Sequence, residues 1–248
     1  MINIWQQHFA QLPSTQLELR ANLALYQQKA QAVLISATTQ TGGIGQYGRT
    51  WQTNRNAIAF SCTIMPDQLP ATPLPLSIIW GLMILKYFQK LGKNGLQLKW
   101  PNDLVINDHK CGGILVEKQA GSMLCGIGLN WGALLPAEST SFASLKNYIP
   151  LPAASIFPTQ TLMAEDYARL PRKIYQFALD YLAHAQHLLG AKLPEILAQT
   201  PWWRLNEQVV VTRADQQELS GTFTGVTPDG AAIGGGQKIY SGSLSCRV

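Results

Sequence analysis

Hydrophobic and polar positions alternate along Leu96-Gln97-Leu98-Lys99-Trp100, the period-two spacing of a half-buried strand. Pro101 holds Trp100 extended and has no N–H to give a ladder, so the pattern predicts an interruption there. Val105-Ile106 resumes the strand, Asn107-Asp108 suits a two-residue turn, and His109 to Glu117 returns as the second arm of a hairpin. Met123 to Asn130 follows as another strand, after a turn near Ala120-Gly121. Upstream, Ala32 to Ser36 and Ala57 to Met65 read as strands either side of a glycine-rich loop, Gly42 to Arg49. The helical period appears in Ile79, Trp80, Met83, Ile84, Tyr87 and Phe88, predicting a helix over 76–91. Ser14-Thr15-Gln16-Leu17-Glu18 reads as a capping box, with Thr15 as N-cap and Glu18 at the third helical position, opening a helix towards Gln28. Residues 136–158 read as a loop, and 165–189 as mostly helix with a start delayed or kinked by Pro171.

After residue 200 the chain changes character. Short strands at Val209-Val210-Val211, Gly221 to Val226, Ala231 to Ile233, Gln237 to Tyr240 and Leu244 to Val248 are separated by Gly and Pro-Asp-Gly turns, as in an SH3-like barrel. The pattern divides the chain into a larger α+β domain, 1–200, and a small β-domain, 201–248.

Composition excludes several classes. With 46% hydrophobic and 13% charged residues, the 248-residue chain is neither disordered nor fibrous. Its net charge of +5 comes without a basic block, so it fits an anionic cofactor or acidic partner and does not argue for DNA binding. The N-terminus lacks the regions of a signal peptide, and the apolar stretch Leu74 to Leu85 is broken by Pro75, Ser77 and Gly81. Cys62, Cys111, Cys125 and Cys246 show no Cys-x-x-Cys spacing, so reduced thiols and a cytoplasmic location are expected. His184-x-x-His187 has a metal-compatible spacing, but no completing motif, and reads as a partly exposed helix face; no metal site is expected.

The chemistry concentrates in the hairpin. Lys99 and Lys110 flank Asn102-Asp103, and Gly112-Gly113 leave bare backbone beside Lys110, which suits a phosphate or carboxylate. Gly43-Ile44-Gly45-Gln46-Tyr47-Gly48 fits G-x-G-x-x-G, yet a strand and not a helix follows, so the dinucleotide-binding context fails. A kinase loop fails too, since no His-Arg-Asp or Asp-Phe-Gly lies downstream.

The spelling itself is specific. Lys99-Trp100-Pro101-Asn102-Asp103-Leu104, then Lys110 and Gly113-Ile114-Leu115-Val116-Glu117, resembles the signature of the biotin protein ligases. Gln40, Thr41, Gly43, Gly45, Gly48, Arg49 and Trp51 match that family's ligand-binding loop, with Ile44 and Gln46 standing where the family carries arginines. Ser14-Thr15-Gln16 resembles the family's Ser-Thr-Asn stretch at the biotin ureido ring. Gly126-Ile127-Gly128-Leu129-Asn130-Trp131 resembles a block near the nucleotide, and Arg247 a C-terminal arginine near the site or carrier.

The resemblance implies a mixed β-sheet catalytic domain flanked by helices, of the class II aminoacyl-tRNA synthetase and biotin ligase kind, with the C-terminal SH3-like barrel. It implies Lys110, Arg49 and Asp103 as catalytic residues, with Lys110 bridging the biotin carboxylate and the α-phosphate. Biotin would be bound by Ser14, Thr15, Gln16, Gln40, Ile44, Gly45, Gln46, Lys110 and Gly113, and the nucleotide by Arg49, Trp51, Lys99, Asn102 and Asn130. ATP and biotin are the implied substrates, with Mg2+ at the phosphates, held partly by Asn102 or Asp103. Trp51 or Trp100 would pack near adenine or biotin, with a core role for either equally open. The implied partner is the biotin carboxyl carrier protein of acetyl-CoA carboxylase, docked by strand addition. Neither nucleic acid nor membrane is an expected partner, and Ser14 lies too near the start for the winged helix-turn-helix of the repressor-ligases. A homodimer stays open. So do two alternative activities: lipoate or octanoyl transfer, and a catalytically impaired biotin-binding module.

Overall fold

The computed structural model describes residues 2–51, 56–69, 75–132, 153–198, 206–212, 217–227, 229–240 and 242–246. Arg247, and most of the loop expected over 136–158, lie outside the described residues. The chain runs β1 (Ile4–Leu12), α1 (Thr15–Ala21), α2 (Leu23–Gln27), β2 (Ala32–Gln40), β3 (Gly43–Ile44), β4 (Thr50–Trp51), β5 (Ala57–Ile64) and α3 (Leu76–Lys90). It continues through β6 (Leu96–Lys99), β7 (Asp103–Ile106), β8 (His109–Gln119), β9 (Ser122–Asn130) and α4 (Asp166–Ala198). The last strands are β10 (Gln208–Thr212), β11 (Glu218–Val226), β12 (Ala232–Gly234), β13 (Gln237–Ile239) and β14 (Ser243–Cys246).

Seven strands form one mixed sheet in the order β1-β2-β5-β9-β8-β7-β6. Only β1 and β2 pair in parallel; the other neighbours are antiparallel. One face carries α3 and α4: Leu34, Ile58, Phe60 and Ile64 pack with Trp80, Ile84 and Phe88 and with Tyr175, Ala178 and Leu182. The other is covered at one end by α1 and α2, through Leu19, Leu23 and Tyr26 against Val33, Ile35 and Leu124. The remainder of that second face is where the candidate site lies. Cys62, Cys111 and Cys125 are buried free thiols, and burial pushes Cys125 up to about 12. Among the described residues no helix is long and apolar enough to cross a membrane.

Several local expectations are corrected. β1 was not foreseen, because its exposed and half-exposed positions hide the strand period. The first helix breaks at Asn22 into α1 and α2, and its N-cap is Ser14, whose extended backbone lets Oγ accept from Leu17 N–H at 3.4 Å. The strand does not resume after Pro101 but reverses. The Trp100–Pro101 peptide is cis, and β7 folds back antiparallel on β6 with Lys99 opposite Asp103. Helix α4 already starts at Asp166, passes through Pro171 and ends at Ala198. The glycine loop contains a small hairpin, Gly43 opposite Trp51 and Ile44 opposite Thr50.

The C-terminal strands form a five-stranded antiparallel sheet, order β13-β12-β11-β10-β14, which fits the SH3-like fold. Among the described residues its two end strands are not paired with one another. It is joined to the large sheet by a buried bond from Trp100 Nε1 to the Gly230 carbonyl, 3.0 Å. Trp100 is 1% exposed, which makes it a core residue and not a ligand platform.

Helix α3 reaches β6 through Gly81, where a Cβ would fall 2.5 Å from Leu98 Cδ1. Gly81→Ala gains about 1 kcal/mol of helix propensity but overpacks a fully buried leucine, a cost of about 1–3 kcal/mol. Net destabilisation of about 1 kcal/mol is expected in urea unfolding; a stabilised variant would show that Leu98 can move aside.

Candidate active site

Strand register draws one line across six strands. Ala37 pairs with Ala59, Ala59 with Gly128, Gly128 with Gly113, Gly113 with Asp103 and Asp103 with Lys99. Paired residues share a face, so this face of the sheet, beyond α1 and α2, has a floor of small residues that ends in a carboxylate and an ammonium.

Lys110 reaches this floor because of a bulge. In an unbroken strand residues three apart face opposite sides, so Lys110 and Gly113 would be separated by the sheet. Leu104 opposes Gly112, but Val105 opposes Lys110, leaving Cys111 as an extra residue on β8. Cys111 is buried in the α3-side core, where a Cβ on Gly112 would also meet Leu104 and Leu129. The bulge thereby turns Lys110 onto the Gly113 face, and its Nζ lies 3.6 Å from where a Gly113 Cβ would sit. There the ammonium contacts Asp103 Oδ1 at 2.6 Å, with the side chains 24% and 10% exposed.

The β3–β4 hairpin lays Trp51 on the same floor. A Cβ at Gly128 would fall 2.3 Å from Trp51 Cε2, and one at Gly113 3.2 Å from Cζ3, so the indole rests on glycine backbone. Lys110 Nζ stands 5.7 Å from the Trp51 ring centroid, within cation–π range, and the buried indole N–H has no partner among the described residues. Between the two strands, Gly45 N–H donates to the Arg49 carbonyl at 2.7 Å, and the Arg49 guanidinium lies 5.7 Å from the Tyr47 ring centroid. Tyr47 and Gly48 both take positive φ to make this turn.

A second polar group lies at the α1 end of the floor. Gln40 Oε1 accepts from the Thr15 backbone N–H at 2.7 Å and from its hydroxyl at 3.1 Å. Thr15 Oγ1 is 2.9 Å from Ser61 Oγ, and Gln16 Nε2 donates to Glu117 Oε2 at 2.8 Å. Ser14, Thr15, Gln16 and Ser61 are all buried. The capping hydroxyl is Ser14, which leaves Thr15 facing Ser61.

Lys110, Asp103, Gly113 and Trp51 thus meet at one place, and Thr15, Gln16 and Gln40 at a neighbouring one. Lys99 is buried on the same face as Asp103, and Asn130 ends β9 two positions beyond Gly128 on that face. Asn102 closes the β6–β7 turn onto β8, its Nδ2 donating to the Ile114 carbonyl at 2.9 Å. Ile44, Gly45 and Gln46 lie half-buried in the hairpin. His184 is exposed and its Nδ1 contacts the Asp180 carbonyl; the side chain of His187 lies outside the described residues. Sequence reasoning missed Ser61 and the pairing of Gln16 with Glu117, and it placed Gly126 in the block near the nucleotide, whereas the structure sets it beside Gln16. Ser61 sits in a strand buried on both faces, where a lone hydroxyl was the only available signal.

Residues 9–133 match the model of the biotin/lipoate A/B protein ligase family, and the chain belongs to that family. It is similar to the bifunctional ligase/repressor BirA of Escherichia coli, 35% identical over 109 residues, 42% of this chain and 34% of that protein. It is equally similar to the biotin--[acetyl-CoA-carboxylase] ligase of Mycobacterium tuberculosis, 35% identical over 128 residues, 49% of this chain and 47% of that protein. These matches therefore span a third to a half of the relatives' length. Among solved structures, the biotin protein ligase from Aquifex aeolicus in complex with biotin and ATP covers 98% of both chains, with a TM-score of 0.70 and 20% identity. That likeness establishes the α+β fold with its small C-terminal β-unit.

A methyl group on the floor tests the placement of Trp51. Gly128→Ala is expected to lift the indole from β9 and red-shift tryptophan emission, with no such shift in a Trp51→Phe background. Identical emission from Gly128→Ala and the parent would mean that the ring lies elsewhere.

Proposed function

We propose that this chain activates biotin with ATP to biotinyl-5'-AMP and transfers biotin to a lysine of a carrier protein. The observation that supports this most directly is the Lys110 ammonium, turned by the Cys111 bulge onto a side-chain-free glycine floor. A carboxylate is a poor electrophile, and joining it to an amine requires prior activation. In the first step a biotin carboxylate oxygen attacks the α-phosphorus, the bond to the bridging oxygen breaks, and pyrophosphate leaves. Negative charge then crowds between carboxylate and phosphate, where Lys110 stabilises the transition state more than the separated reactants, assisted by Arg49 and Lys99.

Trp51 supplies an aromatic face for adenine or the biotin rings, and Asn130 a polar group near the nucleotide. Ile44 and Gln46 close the hairpin over the ligand without the charge of two arginines. Asp103 is engaged by Lys110, and among the described residues no group of three or more His, Cys, Asp or Glu side chains assembles. Mg2+ enters on the ATP phosphates, and Asn102 or Asp103 would hold it in part.

In the second step the carrier lysine attacks the acyl carbon, the C–O bond to AMP breaks, and an amide forms. Asp103, beside the anhydride once Lys110 has turned to the ligand, orients the incoming amine. The carrier is taken to be the biotin carboxyl carrier protein of acetyl-CoA carboxylase, and the compartment to be the cytoplasm.

Incubation with ATP, Mg2+, a carrier domain and either biotin or lipoate, followed by mass spectrometry of the carrier, separates biotin from lipoate transfer. A biotinyl adduct is expected; a lipoyl adduct would sink the reading. Lys110→Ala is expected to lower transfer by about 10²–10³-fold, and undiminished transfer would remove Lys110 from its role.

A further inference from the structure

We infer that Glu117 is a positioning residue that fixes the Gln16 amide, so that its oxygen and not its NH2 is presented over Gly126, selecting ligands whose buried end donates N–H. This rests on the biotin-ligase reading above. Gln16 is 3% exposed, and its Nε2 faces two oxygens, Glu117 Oε2 at 2.8 Å and the Leu124 carbonyl at 3.4 Å. Both accept only, so turning the amide over would set oxygen against oxygen twice. Arg20 Nη1 donates to the other carboxylate oxygen, Oε1, at 3.2 Å and steadies Glu117 from the solvent side.

Gln16 Oε1 is therefore directed onto Gly126, where a Cβ would lie 2.8 Å from it, and this buried oxygen has no hydrogen-bond partner among the described residues. Ser61 Oγ is 3.5 Å from the same point. The Thr15 hydroxyl donates to Gln40 Oε1, so in the Thr15–Ser61 contact the proton comes from Ser61, whose remaining capacity there is to accept. Two acceptors flank one bare spot of backbone. A buried acceptor left unpaired is unfavourable, and an N–H of the ligand satisfies it. The cyclic urea of biotin carries two N–H groups; the dithiolane of lipoate and the alkyl end of octanoate carry none. In a family that spans biotin and lipoate ligases, this polarity discriminates between them, and Glu117 sets it without touching the ligand.

Glu117→Gln keeps the shape but lets residue 117 offer either an NH2 or an oxygen, so Gln16 is no longer held. Calorimetry with biotin, together with KM for biotin, KM for ATP and kcat, reads the effect. The Kd and KM for biotin are expected to rise about tenfold, with kcat, KM for ATP and the thermal midpoint unchanged. The preference for biotin over lipoate should narrow, and adding Glu117→Gln to Gln16→Ala should weaken biotin no further. An unchanged Kd for biotin in Glu117→Gln overturns the assignment. So do losses that multiply in the double variant, or a fall in kcat and ATP affinity alongside biotin, the signature of a merely structural role. A parent protein that binds no biotin sinks the ligase reading itself, whereas a parent that binds it beside an indifferent Glu117→Gln sinks this assignment alone.

Discussion

An ammonium lying largely out of water against a sheet needs a carboxylate in contact with it, and the Lys110–Asp103 pair meets that need. Taking either partner away would strand the other charge in a partly desolvated place, which is more damaging than never having buried the pair. The pair also dictates geometry. Asp103 must stand at the start of β7, directly after the reversal at Trp100–Pro101, and Lys110 must be carried round the strand by the extra residue Cys111. A hairpin without that bulge would fold as well and would point the lysine into the core.

The two ends of the floor divide the chemical labour. At one end cations meet glycine backbone, an arrangement for charge that develops during a reaction. At the other, hydroxyl and amide groups of α1, β2 and β5 form a directional chain, from Ser61 to Thr15 to Gln40, an arrangement for recognition. Gly126 and Gly128 lie two residues apart on one strand and link the ends, so a single extended ligand can touch both.

Much of the fold was legible where apolar residues recur at a strand or helix period. The alternation at Leu96 to Trp100 and the helical spacing from Ile79 to Phe88 gave β6 and α3 directly. β1 escaped notice because its half-exposed positions blur the period, and β5 is buried along its whole length, so no alternation marked which of its residues face the site. Lys110, Asp103 and Gly113 could be named from local spelling because turns bring near neighbours together. Ser61, the place of Gly126 beside Gln16, and the Gln16–Glu117 contact depend on register between distant strands, which a single sequence does not display. The expectation that the strand resumes after Pro101 failed because a proline that ends a strand says nothing about where the chain goes next.

The alignment of Ala37, Ala59, Gly128, Gly113, Asp103 and Lys99 has a bearing on how such a protein can diverge. Each member belongs to a different strand, so inserting or deleting one residue within β7, β8 or β9 would swap core and floor along the rest of that strand. Changes of chain length that leave the row untouched fall at hairpin tips such as Asn107-Asp108 and Ala120-Gly121, outside it. Divergence proceeds by exchanging side chains on a frame of fixed length, and novelty in ligand choice has to come from the edges of the floor.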